Sequence, residues 1–211
     1  MSSSTSKGSA PRRAHTRGFE VALMVASLIA TGLLFVEWGG MRMGPRPWSL
    51  VLATAAGTAS IAATAGWLAF AHGRSRLGRP SGWLITTALF VPTVCFAWKL
   101  GWSAAFEGMS IDWPARSGWR CFRFLLLLAA LPLGTFFYLR RGSAAVHPRA
   151  SGAAAGAAIG SFAAVLVDLW CPVGYAYHLL LGHLLPIGII TVAATWLGGR
   201  VLSQGYSARS T

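Results

Sequence analysis

The sequence predicts an all-α, polytopic membrane protein: a bundle of six transmembrane helices with both termini in the cytoplasm. Three observations carry that prediction. Of 211 residues, 55% are hydrophobic and 11% charged, and five acidic side chains cannot clothe a water-facing surface. Apolar runs long enough to cross the hydrocarbon recur six times, at roughly 19–38, 48–71, 83–105, 119–139, 150–170 and 175–199. Arginines and lysines collect in alternate gaps, as they do in loops that stay on the cytoplasmic side.

Each span is bounded by turn or charge signals. The first follows "MSSSTSKGSAPRRAHTRG", a Ser-rich basic stretch expected to be disordered when unbound. That span is too long for a signal-peptide core, and Glu37-Trp38 is a poor cleavage site, so it is read as a retained helix. The gaps "GGMRMGPRP", "GRSRLGRPSG", "EGMSIDWPARSG", "RRGSAAVHPR" and the short "CPVG" separate the later spans. Residues 1–18 and 204–211 are therefore read as cytoplasmic tails around one transmembrane domain at 19–203.

The charge asymmetry orients the bundle. Lys7, Arg12, Arg13, Arg17, Arg74, Arg76, Arg79, Arg140, Arg141, Arg149, Arg200 and Arg209 make twelve on one side. Arg42, Arg46, Arg116, Arg120 and Arg123 make five on the other. The richer side is the cytoplasmic one. A net charge of +13 would suggest nucleic acid in a soluble protein. Here loop retention accounts for it, and no nucleic-acid-binding motif accompanies it, so no direct nucleic-acid contact is expected.

In the fifth span Gly152, Gly156 and Gly160 recur every four residues and form a smooth ridge for a neighbouring backbone. Packing within the chain is the preferred use of that ridge, with a homo-oligomer face as the alternative. Eight of the ten tryptophans fall near span ends, where the indole meets both acyl chain and headgroup.

The unusual polar residues share the outer depth. Glu37 ends the first span, Lys99 lies near the end of the third, Arg120 and Arg123 begin the fourth, and Asp168 closes the fifth. Charges at such depth pair or reach water, which suggests Asp168 with Arg123 or Arg120 and Glu37 with Lys99. Snorkelling is the alternative for Lys99. Cys121 and Cys171 lie at the same boundary, as a staple, a reversible redox switch or two unpaired thiols, and Cys95 reads as a small buried hydrophobe.

Pro172 cannot continue a helix, so Cys171-Pro172 marks a tight hairpin eased by Gly174. His178 and His183 follow. On an uninterrupted α-helix five residues turn through ~140°, which points the two rings to different faces. Seven residues set Cys171 ~10 Å from His178 along the axis. Cys171 and His178 would share a face, but a zinc or copper site would need Cys121 or another helix to close it. A hydrogen-bonded or pH-sensing histidine is the preferred reading, so no metal site is assigned and no cofactor is expected. A kink is expected near Gly182 and Pro186. Without a Cys-x-x-Cys, a P-loop or paired carboxylates, no catalytic residue is assigned and an enzyme is not expected.

From about residue 118 onward the chain resembles the NrsF-type family of bacterial inner-membrane anti-sigma factors. The resemblance rests on Cys121, Leu131-Pro132, Arg140-Arg141-Gly142, Pro148-Arg149, the Gly152, Gly156 and Gly160 ridge, Cys171-Pro172 and the region of His183. It implies six inner-membrane helices, a sigma factor of the extracytoplasmic-function (ECF) type held at the cytoplasmic face, and release on an envelope signal. It also implies a periplasm-facing cysteine pair, which falls on Cys121 and Cys171. Asp168, Arg120, Arg123, His178 and His183, placed by depth alone, are read as a supporting polar layer around it. The basic stretch before the first span is shorter than usual for the family, 18 residues. The docking surface is therefore expected around Arg12, Arg13 and Arg17, with Arg74 and Arg76 and with Arg140 and Arg141. The competing readings are a small transporter or channel, a membrane redox or metal-binding protein, and a structural subunit that packs against a larger complex.

Overall fold

Helix ends in the computed structural model fall where Gly, Pro and charged residues interrupt the apolar runs. It describes residues 17–42, 47–71, 82–104, 117–141, 145–171 and 173–203. The helices are α1 (Arg17–Glu37), α2 (Trp48–Ala71), α3 (Gly82–Ala104), α4 (Trp119–Arg140), α5 (Pro148–Trp170) and α6 (Ala176–Val201). All six are long and apolar enough to cross a membrane, and no strand occurs among the described residues. The predicted spans differ from these helices by no more than about two residues at either end, the usual uncertainty of a helix terminus. Residues 1–16, with Arg12 and Arg13, and the segment holding Arg74 and Arg76 lie outside the described residues, as does Pro172.

Helix α5 occupies the centre. Of its apolar window 78% is buried, against 17% for α1. It packs against α2, α3, α4 and α6, and α1 lies outermost on α4. The sequence explains the choice. Alanine and glycine make α5 thin enough for four neighbours to approach, and its most extensive contact is with α6. A Cβ on Gly152 would land on the carbonyl oxygen of Ala194, and one on Gly156 would lie 2.7 Å from the Ala194 Cβ. One on Gly160 would sit 3.1 Å from Ile187 Cγ2. The ridge thus faces α6 within the same chain.

Several buried hydroxyls cause little disruption, because they find a partner on their own helix. Thr31, Thr54 and Thr58 donate to the carbonyls four residues back at 2.8–2.9 Å. Pro92 and Pro132 sit inside α3 and α4, as prolines can in apolar bundles where neighbours re-satisfy the freed backbone.

Helix α6 departs from regular geometry. Between Leu180 and Leu184 it widens into a π turn, closed by the Leu185 N–H donating to the Leu180 carbonyl five residues back. Pro186 supplies the cause: it has no N–H for the Gly182 carbonyl, and its ring crowds that carbonyl. The kink expected at Gly182 and Pro186 is therefore a change of helical register.

Candidate functional site

At one end of the bundle, four side chains from three places converge. Cys121 comes from the first turn of α4, Cys171 from just past α5, and His178 and His183 from the first half of α6. One ligand-type atom from each lies within 4.8 Å of all the others, and all four residues are buried. His178 Nε2 is 3.0 Å from Cys171 Sγ and 3.4 Å from Cys121 Sγ. Both cysteines are free thiols, as is Cys95, whose sulfur contacts the Ser161 hydroxyl at 3.8 Å.

Two departures from regular α-helix geometry build this cluster, and both correct the sequence reading. In a π turn the i→i+5 bond stacks residues five apart instead of turning them ~140° from one another. The His178 and His183 rings accordingly lie 5.5 Å apart, centroid to centroid. Cys171 also lies past the end of α5 and before the start of α6, so the residues from Cys171 to His178 are not one stretch of helix, and Cys171 Sγ lies 3.0 Å from His178 Nε2. The expectation of no shared metal site rested on an uninterrupted α-helix, and that ground is removed.

The approach of α4 to the π turn depends on two glycines. Gly118 precedes α4 with φ +88°, a left-handed conformation that glycine adopts without strain. A Cβ there would lie 3.1 Å from the Gly182 nitrogen, and one on Gly182 would lie 3.1 Å from the Cys121 Cβ. This backbone contact delivers Cys121 to His178. Nothing in the spacing of the sequence signals it.

Behind the thiols lies an ion pair that the sequence reading assigned differently. Lys99 Nζ is 2.6 Å from Asp168 Oδ1, with side chains only 4% and 8% exposed. The same ammonium lies 2.7 Å from His183 Nδ1. Lys99 therefore neither pairs with Glu37 nor snorkels, and the ion pair that Asp168 makes is with Lys99. The reason is topological: α3 and α5 are in direct contact, and both charges are buried between the helices. As an ammonium with three donors, Lys99 donates to both acceptors. His183 Nε2 is buried with no hydrogen bond among the described residues, which leaves it as the nitrogen His183 has to offer. Asp168, Lys99 and His183 thus connect the thiol cluster to α5 and α3.

Arg120 and Arg123 instead line a 630 Å³ pocket above the thiols, together with Arg42 and Trp170. Cys121, Cys171 and His178 line the same pocket. Gly39 and Gly40, at φ +104° and +53°, turn the chain after α1 so that the Arg42 N–H reaches the Leu169 carbonyl at 3.0 Å. The Arg42 guanidinium then lies 5.0 Å over the Trp170 ring. Trp170, Phe124 and Trp38 stack behind it at centroid separations of 5.2 and 5.3 Å. Trp170 thus walls the site as well as marking a span end.

Cys171 sits one residue beyond α5. Its thiol is held well below the usual cysteine range, chiefly by the hydrogen bond from the Cys121 thiol, with His178 adding to it against the upward push of burial. A thiol so disposed favours the thiolate, the form that ligates metals and attacks electrophiles. Two sulfurs and two imidazoles are a donor set suited to a borderline or soft cation.

At the opposite end stand Arg140 and Arg141, closing α4, with Arg149 in the first turn of α5 and Arg200 in the last turn of α6. Arg200 lies 3.8 Å over the Trp196 ring. The backbone of Arg17 begins α1 at that same end. The buried thiol–imidazole cluster and the Arg140, Arg141, Arg149 and Arg200 group thus stand at opposite ends of one helix bundle. The family described as NrsF, negative regulator of sigma F, matches residues 4–203, and the chain belongs to it. No curated protein and no solved structure matches the chain.

Proposed function

We propose that the protein is an inner-membrane anti-sigma factor that holds an ECF-type sigma factor at its cytoplasmic face and releases it when an envelope signal reaches the Cys121–Cys171 cluster. The family is one of negative regulators of a sigma factor, which supplies the partner class. The uneven distribution of arginine supports placing the Arg140, Arg141 and Arg149 end in the cytoplasm and the thiols on the periplasmic side. An acidic surface on the sigma factor would meet that basic face.

The observation that carries the sensing half is the convergence of Cys121, Cys171, His178 and His183 on one point. A redox switch needs two sulfurs alone. Two buried imidazoles at hydrogen-bonding or ligand distance add donors that a disulfide does not use, which favours a soft transition-metal cation as the signal. Occupancy draws the start of α4, the end of α5 and the π turn of α6 together. Helices α4 and α5 also flank residues 141–147, so a change in their relative tilt alters the basic face. Coupling across the bundle needs an element with two arrangements, and the π turn is suited to that role.

The test is a reporter for the cognate sigma regulon. Deleting the gene should raise expression constitutively. Cys121→Ser or Cys171→Ser should keep expression low while abolishing induction by added metal. If expression is unchanged on deletion and no sigma factor co-purifies with the protein, the function is wrong. If both serine variants still respond, the sensing site lies elsewhere.

A further inference from the structure

The pocket over the thiols has a charge character that metal binding does not account for. Three guanidiniums, from Arg42, Arg120 and Arg123, line it together with Cys121, Cys171 and His178, and among the described residues none of its lining side chains is acidic. A route for free cations would carry the opposite charge. Helix α4 begins at the pocket wall with Gly118 and Trp119, and its first turn contains no acidic residue. No side chain caps that terminus, so its first N–H groups lack intrahelical partners and add partial positive charge where the guanidiniums stand.

The arginines are placed by separate parts of the chain. Arg42 is fixed on Trp170 by the glycine turn after α1 and by its own backbone bond to Leu169. Arg120 and Arg123 lie three residues apart on α4 and so share a face of that helix. Guanidinium groups suit oxygen anions because their planar forks match phosphate geometry. The volume, 630 Å³, exceeds what a bare ion fills and suits a phosphodiester headgroup.

We propose that this pocket binds a phosphate-type oxyanion, which covers Cys121, Cys171 and His178 and controls access to them. The inference rests on the topology proposed above, in which this end of the bundle meets the outer headgroup layer. There the phosphate group of an anionic phospholipid is the nearest source, and inorganic phosphate is the soluble one. Exposed Trp119, also on the pocket wall, is an interfacial side chain suited to the headgroup region. A phosphate group seated on three arginines stands between the thiols and the periplasm, so a signal must displace it or pass it. The site thereby has a threshold set by the membrane surface as well as by its own donors.

The purified full chain in phosphatidylcholine nanodiscs, with or without phosphatidylglycerol, is labelled with the neutral reagent N-ethylmaleimide at matched ionic strength. Modification of Cys121 and Cys171 is followed by mass spectrometry. Phosphatidylglycerol should slow labelling by about tenfold or more. Comparable slowing by inorganic phosphate in pure phosphatidylcholine discs identifies the soluble ion as the source. Unchanged rates in both arms overturn the inference. The triple variant Arg42→Gln, Arg120→Gln, Arg123→Gln should lose the protection, and the matching lysine triple should keep most of it. Protection that survives in the glutamine triple also overturns the inference. If the glutamine triple does not fold, the two wild-type arms still decide. A chain that restrains its sigma factor but shows no protection sinks this inference alone; protection without sigma restraint sinks the proposed function alone.

Discussion

Replacing Lys99 with methionine removes a cation from a buried ion pair. Lys99 Nζ stands 2.6 Å from Asp168 Oδ1 and 2.7 Å from His183 Nδ1, and both members of the ion pair are more than nine-tenths buried. Removing one member of a buried pair takes away the charge nearest the other, a loss of about 3–5 kcal/mol. The imidazole also loses its donor, and an unsatisfied buried acceptor adds about 1–3 kcal/mol unless the ring changes tautomer. Asp168→Val strands the ammonium but leaves the bond to His183, so it should cost less than Lys99→Met. In the double variant no buried charge remains, and stability should return to within about 1–2 kcal/mol of the wild type. The assay is reversible unfolding in mixed micelles, followed by tryptophan fluorescence for the four proteins. The expected result is strong non-additivity: the double variant more stable than either single one. A double variant that loses the sum of the two single losses would falsify the pairing.

The α5–α6 seam and the π turn yield two further expectations. Gly156→Leu should destabilise the bundle by at least about 2–3 kcal/mol in the same assay, since a bare Cβ already comes within 3.0 Å of α6 backbone atoms. Gly134→Ala, on α4 where nothing lies within 4 Å, should instead gain up to about 1 kcal/mol from helix propensity. Equal effects of the two substitutions would remove the ridge from the account of the fold. Pro186→Ala restores the N–H that α6 lacks and should relax the π turn to α-helix. Circular dichroism should then show helix retained, while metal titration shows affinity reduced by about tenfold or more as His183 leaves the cluster. Unaltered affinity would mean that the π turn does not assemble the site.

Much of the bundle was legible because a long apolar run has few ways to satisfy its own backbone. Every backbone polar group must be satisfied within its segment, so an apolar run of sufficient length can only be a helix. Composition and the Gly-Pro punctuation therefore located all six helices. The spacing of Gly152, Gly156 and Gly160 marked a face of close approach for the same kind of reason: the absence of side chains is itself a shape. Cys121, Cys171 and Asp168 could be assigned a common depth, since each stands within a few residues of a helix end on the same side.

Depth, however, does not specify a partner. Which helix lies beside which decided that Asp168 meets Lys99 and left Arg120 and Arg123 to line the pocket. Local register mattered as much: Pro186 is visible in the sequence, but whether it bends α6 or widens it depends on the neighbours the helix must fit. The π turn moved His183 onto the face of His178, and the Gly118–Gly182 contact brought Cys121 to the same imidazole. By itself the sequence determined six helices, their ends and the level at which the chemistry lies. Only the tertiary structure decided which side chains share a point, because that depends on how helices rotate about their own axes, a freedom that hydropathy does not constrain.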